Sequence, residues 1–218
     1  LDYVYLCFDV NEETLPAAVA GLKTCGIRGF NLTMPNKNKI VELLDELSPE
    51  AQLIGAVNTV LNDNGKLIGY NTDGYGFMQS VRDAGHDITG KNITVMGVGG
   101  ASMAICAQSA LDGAASVHIF ARRTSRYWNR TQKFAENLSA KTGCQVCLFD
   151  NDDHTALRDS IAQSYLLINA TSVGMVPDID DTIIKDTSLF HPELVVADVV
   201  YEPQAVSYTH LRAHETLA

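Results

Sequence analysis

The segment Asn31-Leu32-Thr33-Met34-Pro35-Asn36-Lys37 sets a lysine just after a proline, and Asn71-Thr72-Asp73 sets a carboxylate in a polar turn further on. Brought together by folding, a lysine and an aspartate make an acid–base pair able to move the proton of a hydroxyl. Proline disfavours the helical region for the residue before it, so the chain up to Met34 is expected to be extended. Ile40, Val41, Leu43, Leu44 and Leu47 then predict a helix with an inward apolar stripe. Lys37 would stand at the strand-to-helix junction, where its charge opposes the positive end of the helix dipole, a conflict that favours release of a proton. The residue types alone also fit a solvated lysine on a helix face.

A second chemistry is written in Gly97-Val98-Gly99-Gly100-Ala101-Ser102, which follows an apolar run and opens a helix. In that context backbone N–H groups and the helix dipole face a pyrophosphate, and the missing side chains permit its close approach. Ser102 stands where the dinucleotide pattern G-x-G-x-x-G has its third glycine; the plainer alternative is a tight turn. The next strand, Val117 to Phe120, runs into Ala121-Arg122-Arg123-Thr124-Ser125-Arg126, which carries arginines and hydroxyls but no carboxylate. A carboxylate there would accept from the 2′-hydroxyl of NAD, whereas guanidinium forks pair a 2′-phosphate. NADP is therefore the favoured cofactor and NAD the second choice, against a solvated basic turn on an acidic protein.

These groups need elements to carry them. Tyr3 to Phe8 reads as a strand, Asn11 to Thr14 as a helix start, and the helix ends near Cys25-Gly26. Gly29 to Leu32 is a short strand, and Val57 to Leu61 with Lys66 to Tyr70 flank the hairpin signal Asn62-Asp63-Asn64-Gly65. Gly74 to Ala84 reads as a helix. Beyond Asp87-Ile88-Thr89-Gly90-Lys91 strands and helices alternate: strands at 93–96, 116–120, 146–149, 166–169 and 194–199, helices at 101–111, 127–142 and 155–163. That alternation predicts an α/β protein with a parallel sheet and right-handed crossovers. The change of texture at Asp87–Lys91 predicts a domain boundary there, near residue 88.

The chain has 218 residues, 46% hydrophobic and 19% charged, so it is globular. A net charge of −10 argues against nucleic acid or an anionic membrane as a general partner. No apolar run approaches the ~18 residues that span a bilayer. Five cysteines without framework spacing point to a reducing cytoplasm. Cys144 and Cys147 lie three apart on a predicted strand and face opposite sides, and His210 and His214 lack a third ligand, so no metal is expected. A chain opening on Leu1 reads as a fragment.

Taken with Gly55-Ala56-Val57-Asn58-Thr59, Gly69-Tyr70-Asn71-Thr72-Asp73-Gly74, Asn169-Ala170-Thr171-Ser172-Val173-Gly174-Met175 and Asp198-Val199-Val200-Tyr201-Glu202-Pro203, these segments resemble shikimate dehydrogenases, particularly the quinate/shikimate branch. The resemblance runs from Leu1 to about Gln204, and implies a substrate and catalytic domain over 1–88, a Rossmann-type cofactor domain over 89–204 and a tail over 205–218 outside the fold. It implies hydride transfer between NADP(H) and C3 of a cyclohexene polyol acid, shikimate or quinate, in aromatic amino acid biosynthesis. It makes Lys37 and Asp73 the catalytic pair, in a cleft between the domains, and Thr33, Asn58 and Tyr201 substrate ligands. It places Gly97, Gly99, Gly100, Ala101, Ser102, Arg122, Arg123, Thr124, Arg126, Asn169, Thr171 and Met175 around the cofactor. It requires no metal, and a homodimer is left open. The family's N-terminal serine motif and C-terminal glutamine-bearing helix are not found, and residues 205–218 match nothing in it. The rival reading is a dinucleotide-binding module without turnover.

Overall fold

The computed structural model describes residues 3–176, 179 and 181–200, with the backbone of residues 216–217. The chain forms two compact units, Leu1–Thr72 and Asp73–Ala218.

The first unit is a four-stranded mixed sheet with helices. Helix α1 (Leu15–Thr24) starts where the Asn11 side chain accepts from the backbone N–H groups of Glu13 and Thr14, at 3.0 and 2.9 Å, and buries Leu15 and Val19. Strand β1 (Gly29–Asn31) pairs antiparallel with β3 (Thr59–Asp63), which turns through Asn64 and Gly65, both at positive φ, into β4 (Lys66–Tyr70). That is the expected hairpin. The helix expected from Ile40 to Leu47 is broken up. Helix α2 is the single turn Asn36–Lys39, a 3-10 turn covers Ile40–Leu43, and Leu47 belongs to β2 (Glu46–Leu47), parallel to β4. The apolar stripe still points inward, because Ile40 is fully buried and Val41, Leu43, Leu44 and Leu47 pack around the cluster of Leu15, Val19, Ala51, Val57, Val60 and Leu67. Helix α3 (Pro49–Ile54) is capped by Ser48 Oγ. The strand expected at Tyr3–Phe8 is absent: the segment makes no ladder with the described residues, and Tyr3, Val4, Tyr5, Leu6 and Phe8 are exposed.

The second unit opens with α4 (Asp73–Asp83) and continues through β5 (Asn92–Met96), α5 (Gly100–Leu111), β6 (Ser116–Ala121), α6 (Trp128–Thr142), β7 (Gln145–Asp150), α7 (His154–Gln163), β8 (Leu166–Asn169) and β9 (Val195–Asp198). The sheet order is β7-β6-β5-β8-β9, all parallel, with β10 (Thr216–Leu217) on the far edge. Strands β5, β8 and β9 are buried along nearly their whole length, as a sheet covered on both faces requires. Met96, Phe120, Ile161, Leu167, Leu194 and Val196 share one core.

Two differences from the expected division stand out. Helix α4 belongs with the second unit, because it lies hard against α5. A Cβ on Gly74 would meet the Ala104 carbonyl oxygen at 2.2 Å, Ser109 Oγ approaches Met78 Sδ at 3.5 Å, and Arg82 pairs with Asp112 at 2.6 Å. The change of texture at Asp87–Lys91 is therefore the link from α4 into β5. Thr216 and Leu217, expected outside the fold, pair with Val196 and Ala197, since main-chain bonding to an open strand edge asks little of the side chains.

Candidate functional site

Lys37, Thr33 and Asn58 are brought together within the first unit by backbone bonds linking distant segments. Leu32 N donates to Asn58 O at 2.8 Å, Val57 N donates to Lys37 O at 2.8 Å, and Asn36 N donates to Thr33 O at 3.0 Å. The one-turn α2 holding Lys37 is pinned by its amides: Asn36 Nδ2 donates to Val10 O at 2.7 Å and Asn38 Nδ2 donates to Gly55 O at 2.8 Å. Lys37 is half-buried, and a single turn contributes little dipole, so its placement rests on these bonds.

Asn58 lies 9% exposed and is tied to the strand that leads towards Asp73. Its Oδ1 accepts from Thr72 N at 3.0 Å and its Nδ2 donates to Thr72 Oγ1 at 3.0 Å. Asn71 Nδ2 donates to Ala56 O at 3.1 Å. Thr72, Asn36 and Asn38 carry no catalytic signature in sequence; their contribution emerges only when segments 31–38, 55–58 and 70–72 meet. Asp73 itself is the first residue of α4, where a carboxylate suits the positive end of the helix. Tyr201 lies outside the described residues.

The glycine turn is tightly packed on one side and open on the other. Gly97 has φ +111, a region favouring glycine, and a Cβ there would meet Ala170 O at 2.8 Å and Thr171 Cγ2 at 2.9 Å. By contrast, a Cβ on Gly99 or Gly100 would meet nothing within 4 Å, so the start of α5 faces open space. Gly99 caps α5 without a side-chain bond, and no acid occupies the first turn, which leaves N–H groups and dipole for an anion. Ser102 takes a different part from the one expected. It is fully buried and its Oγ donates to Gly97 O at 2.6 Å, so it braces the turn from beneath while Ala101 is exposed. These features fit a dinucleotide pyrophosphate.

At the C-terminal end of β6, Arg122, Arg123, Thr124 and Arg126 are all exposed. After β8, Asn169 is buried and shapes the loop: its Nδ2 donates to Asp198 Oδ2 at 2.9 Å and Val173 O at 3.1 Å, and its Oδ1 accepts from Thr171 N and Thr171 Oγ1. Burial raises the Asp198 carboxyl above its ordinary value, against the opposing Asn169 bond and backbone donors. Asn169 thus organises the loop, and Met175 is left 48% exposed on it. Cys144 and the fully buried Cys106 are pushed up to about 11 and about 12, chiefly by burial, which makes both poor nucleophiles.

A parallel sheet in this order, with an open glycine cradle at its first strand-to-helix turn, defines a Rossmann-type dinucleotide-binding unit. It is preceded in the chain by a smaller α/β unit bearing a positioned lysine. Residues 1–60 match the family described as shikimate dehydrogenase substrate binding domain. Over 203 residues the chain is 49% identical to the shikimate dehydrogenase (NADP(+)) of Listeria innocua, covering 93% of this chain and 69% of that protein. The crystal structure of shikimate 5-dehydrogenase from Listeria monocytogenes, in complex with shikimate and NAD, superimposes with a TM-score of 0.96 at 45% identity, over 99% of this chain and 75% of that one. Quinate dehydrogenase from Corynebacterium glutamicum, in complex with NAD, gives 0.80 at 29% identity, over 93% and 71%. The chain belongs to the shikimate dehydrogenase family.

Proposed function

We propose that this protein interconverts shikimate and 3-dehydroshikimate with NADP as its redox partner, in the biosynthesis of aromatic amino acids, with quinate and 3-dehydroquinate as a second substrate pair. The observation that carries the reading is the glycine cradle on a parallel sheet in a chain 49% identical to a shikimate dehydrogenase (NADP(+)). When bound, NADP(H) supplies the hydride acceptor or donor. Gly97, Gly99, Gly100 and Ala101 would hold its pyrophosphate and the exposed arginines its 2′-phosphate. Thr171 and Met175, on the loop that Asn169 and Ser102's partner Gly97 flank, are assigned to the nicotinamide end.

On the substrate side, Lys37 takes the proton of the reacting hydroxyl in oxidation and returns it in reduction. A lysine suits this exchange because its amine cycles between charged and neutral forms without leaving its place. Asp73 is assigned as the carboxylate that orients substrate and lysine. Thr33, Asn58 and Tyr201 are assigned to substrate hydroxyl or carboxylate groups. The first unit carries the substrate role together with Asp73, and the parallel-sheet unit carries the cofactor. Five free cysteines support a reducing compartment, the cytoplasm. Initial rates of NADP- and NAD-linked oxidation of shikimate and of quinate test the whole reading. Turnover of either acid with NADP is the expected result; no turnover of both with either cofactor rejects it.

A further inference from the structure

The turn after β6 holds its arginines in a way that the residue types alone do not reveal. Arg123 Cζ lies 4.6 Å from the centroid of the Trp128 ring. Arg126 Cζ lies 4.7 Å from the centroid of Tyr127, whose hydroxyl accepts from Arg126 Nη2 at 2.6 Å. Both rings are themselves held. Trp128 is 7% exposed at the start of α6, and Tyr127 is half-buried. The backbone between them and the strand is closed by Ser125, whose N donates to Arg122 O at 2.9 Å and whose O accepts from Trp128 N at 3.0 Å. Ser125 Oγ also accepts from Tyr127 N at 3.2 Å.

The protein carries 26 acidic residues, yet among the described residues none forms an ion pair with Arg122, Arg123 or Arg126. Two of these three cations are instead laid against aromatic faces. The Trp128 ring holds Arg123, and Arg126 gives one N–H to the Tyr127 hydroxyl while its remaining N–H groups stay available for the fork that matches phosphate oxygens. A guanidinium so held also loses less side-chain freedom when an anion arrives, because the neighbouring ring has already restricted it.

We propose that Tyr127 and Trp128 are positioning residues for cofactor choice: their rings hold Arg126 and Arg123 ready for the phosphate on the adenosine 2′-hydroxyl, and so favour NADP over NAD. The proposal rests on the reading that NADP is the cofactor and that its 2′-phosphate meets this turn.

The test is calorimetric binding of NADP and NAD, with 2′-AMP and 5′-AMP as fragments, to the full chain and to ring variants. Trp128→Leu and Tyr127→Leu should each weaken NADP and 2′-AMP roughly three- to tenfold, with NAD and 5′-AMP unchanged. Trp128→Phe should recover most of the loss, since it retains a ring, and Tyr127→Phe only part of it, since it keeps the ring but gives up the hydroxyl that accepts from Arg126. Trp128 is the sole tryptophan, so its fluorescence in the parent protein should respond to 2′-AMP and not to 5′-AMP. Thermal melts guard against misfolding of the buried Trp128→Leu variant, and Tyr127→Leu carries the test if that variant unfolds. Equal losses for NADP and NAD in the leucine variants, or no loss at all, overturn the proposal. Arg123→Ala and Arg126→Ala separate the two readings. If the arginine variants lower the NADP-to-NAD preference and the ring variants do not, the positioning role alone fails. If neither set does, the phosphate is bound elsewhere and both readings fall.

Discussion

The cradle around Gly97–Ala101 and the ground around Lys37 are built by opposite means. The cradle is one continuous stretch of main chain at a strand end. Its polar groups are backbone N–H groups, and its conformation is imposed by Gly97 and braced by Ser102. The lysine ground is assembled from segments 31–38, 55–58 and 70–72, stitched by side-chain amides and by cross-segment backbone bonds. A site made of main chain depends on where side chains are absent. A site made of side chains depends on residues far apart in sequence meeting in register. Substitutions should therefore break the two regions in different ways.

The largest effect is expected at Lys37. Lys37→Ala should lower kcat on the order of 10²–10⁴-fold, the usual worth of a positioned acid–base group, while NADP affinity stays nearly unchanged. Steady-state kinetics beside NADP titration checks both halves, and parent-like kcat would remove Lys37 from the chemistry.

Within the cradle, two glycines should separate folding from binding. A methyl on Gly97 would fall 2.8 Å from the Ala170 carbonyl oxygen at a φ of +111. Gly97→Ala should cost about 1–3 kcal/mol of stability in urea unfolding, and NADP affinity with it. Gly99 has extended backbone at φ −78 and ψ −179, and its methyl would stand in open space. Gly99→Ala should leave the urea midpoint in place and weaken NADP about tenfold, by holding the pyrophosphate off the N–H groups at the start of α5. A Gly99→Ala protein that binds NADP as the parent does would show that phosphate does not approach this face.

The smallest effect lies in the sheet beneath both arginines and cradle. His118 on β6 is partly buried, with Nδ1 2.9 Å from Ser160 Oγ, and burial holds its imidazole below the ordinary 6.5. The unfolded chain takes up a proton on this residue as pH falls below 6.5, while the folded chain resists it. Stability should therefore decline from pH 6.5 downward until the folded imidazole also protonates. His118→Gln should flatten that decline in urea midpoints measured across the range; an unchanged slope would assign the pH dependence to other groups.

The sequence by itself determined what is local. Uninterrupted apolar runs of strand length specify a covered parallel sheet, and β5 to β9 form close to their expected bounds because each run has no other face to bury. Asn64-Gly65 specifies its turn through backbone conformation alone. The glycine turn is legible for the same reason, and so is the basic turn after β6.

Tertiary structure decided everything that depends on a partner. Tyr3–Phe8 has strand residues but forms no ladder with the described residues, and a ladder needs main-chain pairing from both sides. The stripe from Ile40 to Leu47 is split into a 3-10 turn and a strand because Leu47 finds β4 to pair with. Helix α4 goes with the second unit because Gly74 allows α5 to approach closely. Ser102 turns inward to Gly97, and Tyr127 and Trp128 lie under arginines, through contacts that spacing in sequence does not announce. Backbone preference is carried by a residue and its neighbours, whereas burial and side-chain pairing belong to whatever the folded chain brings alongside.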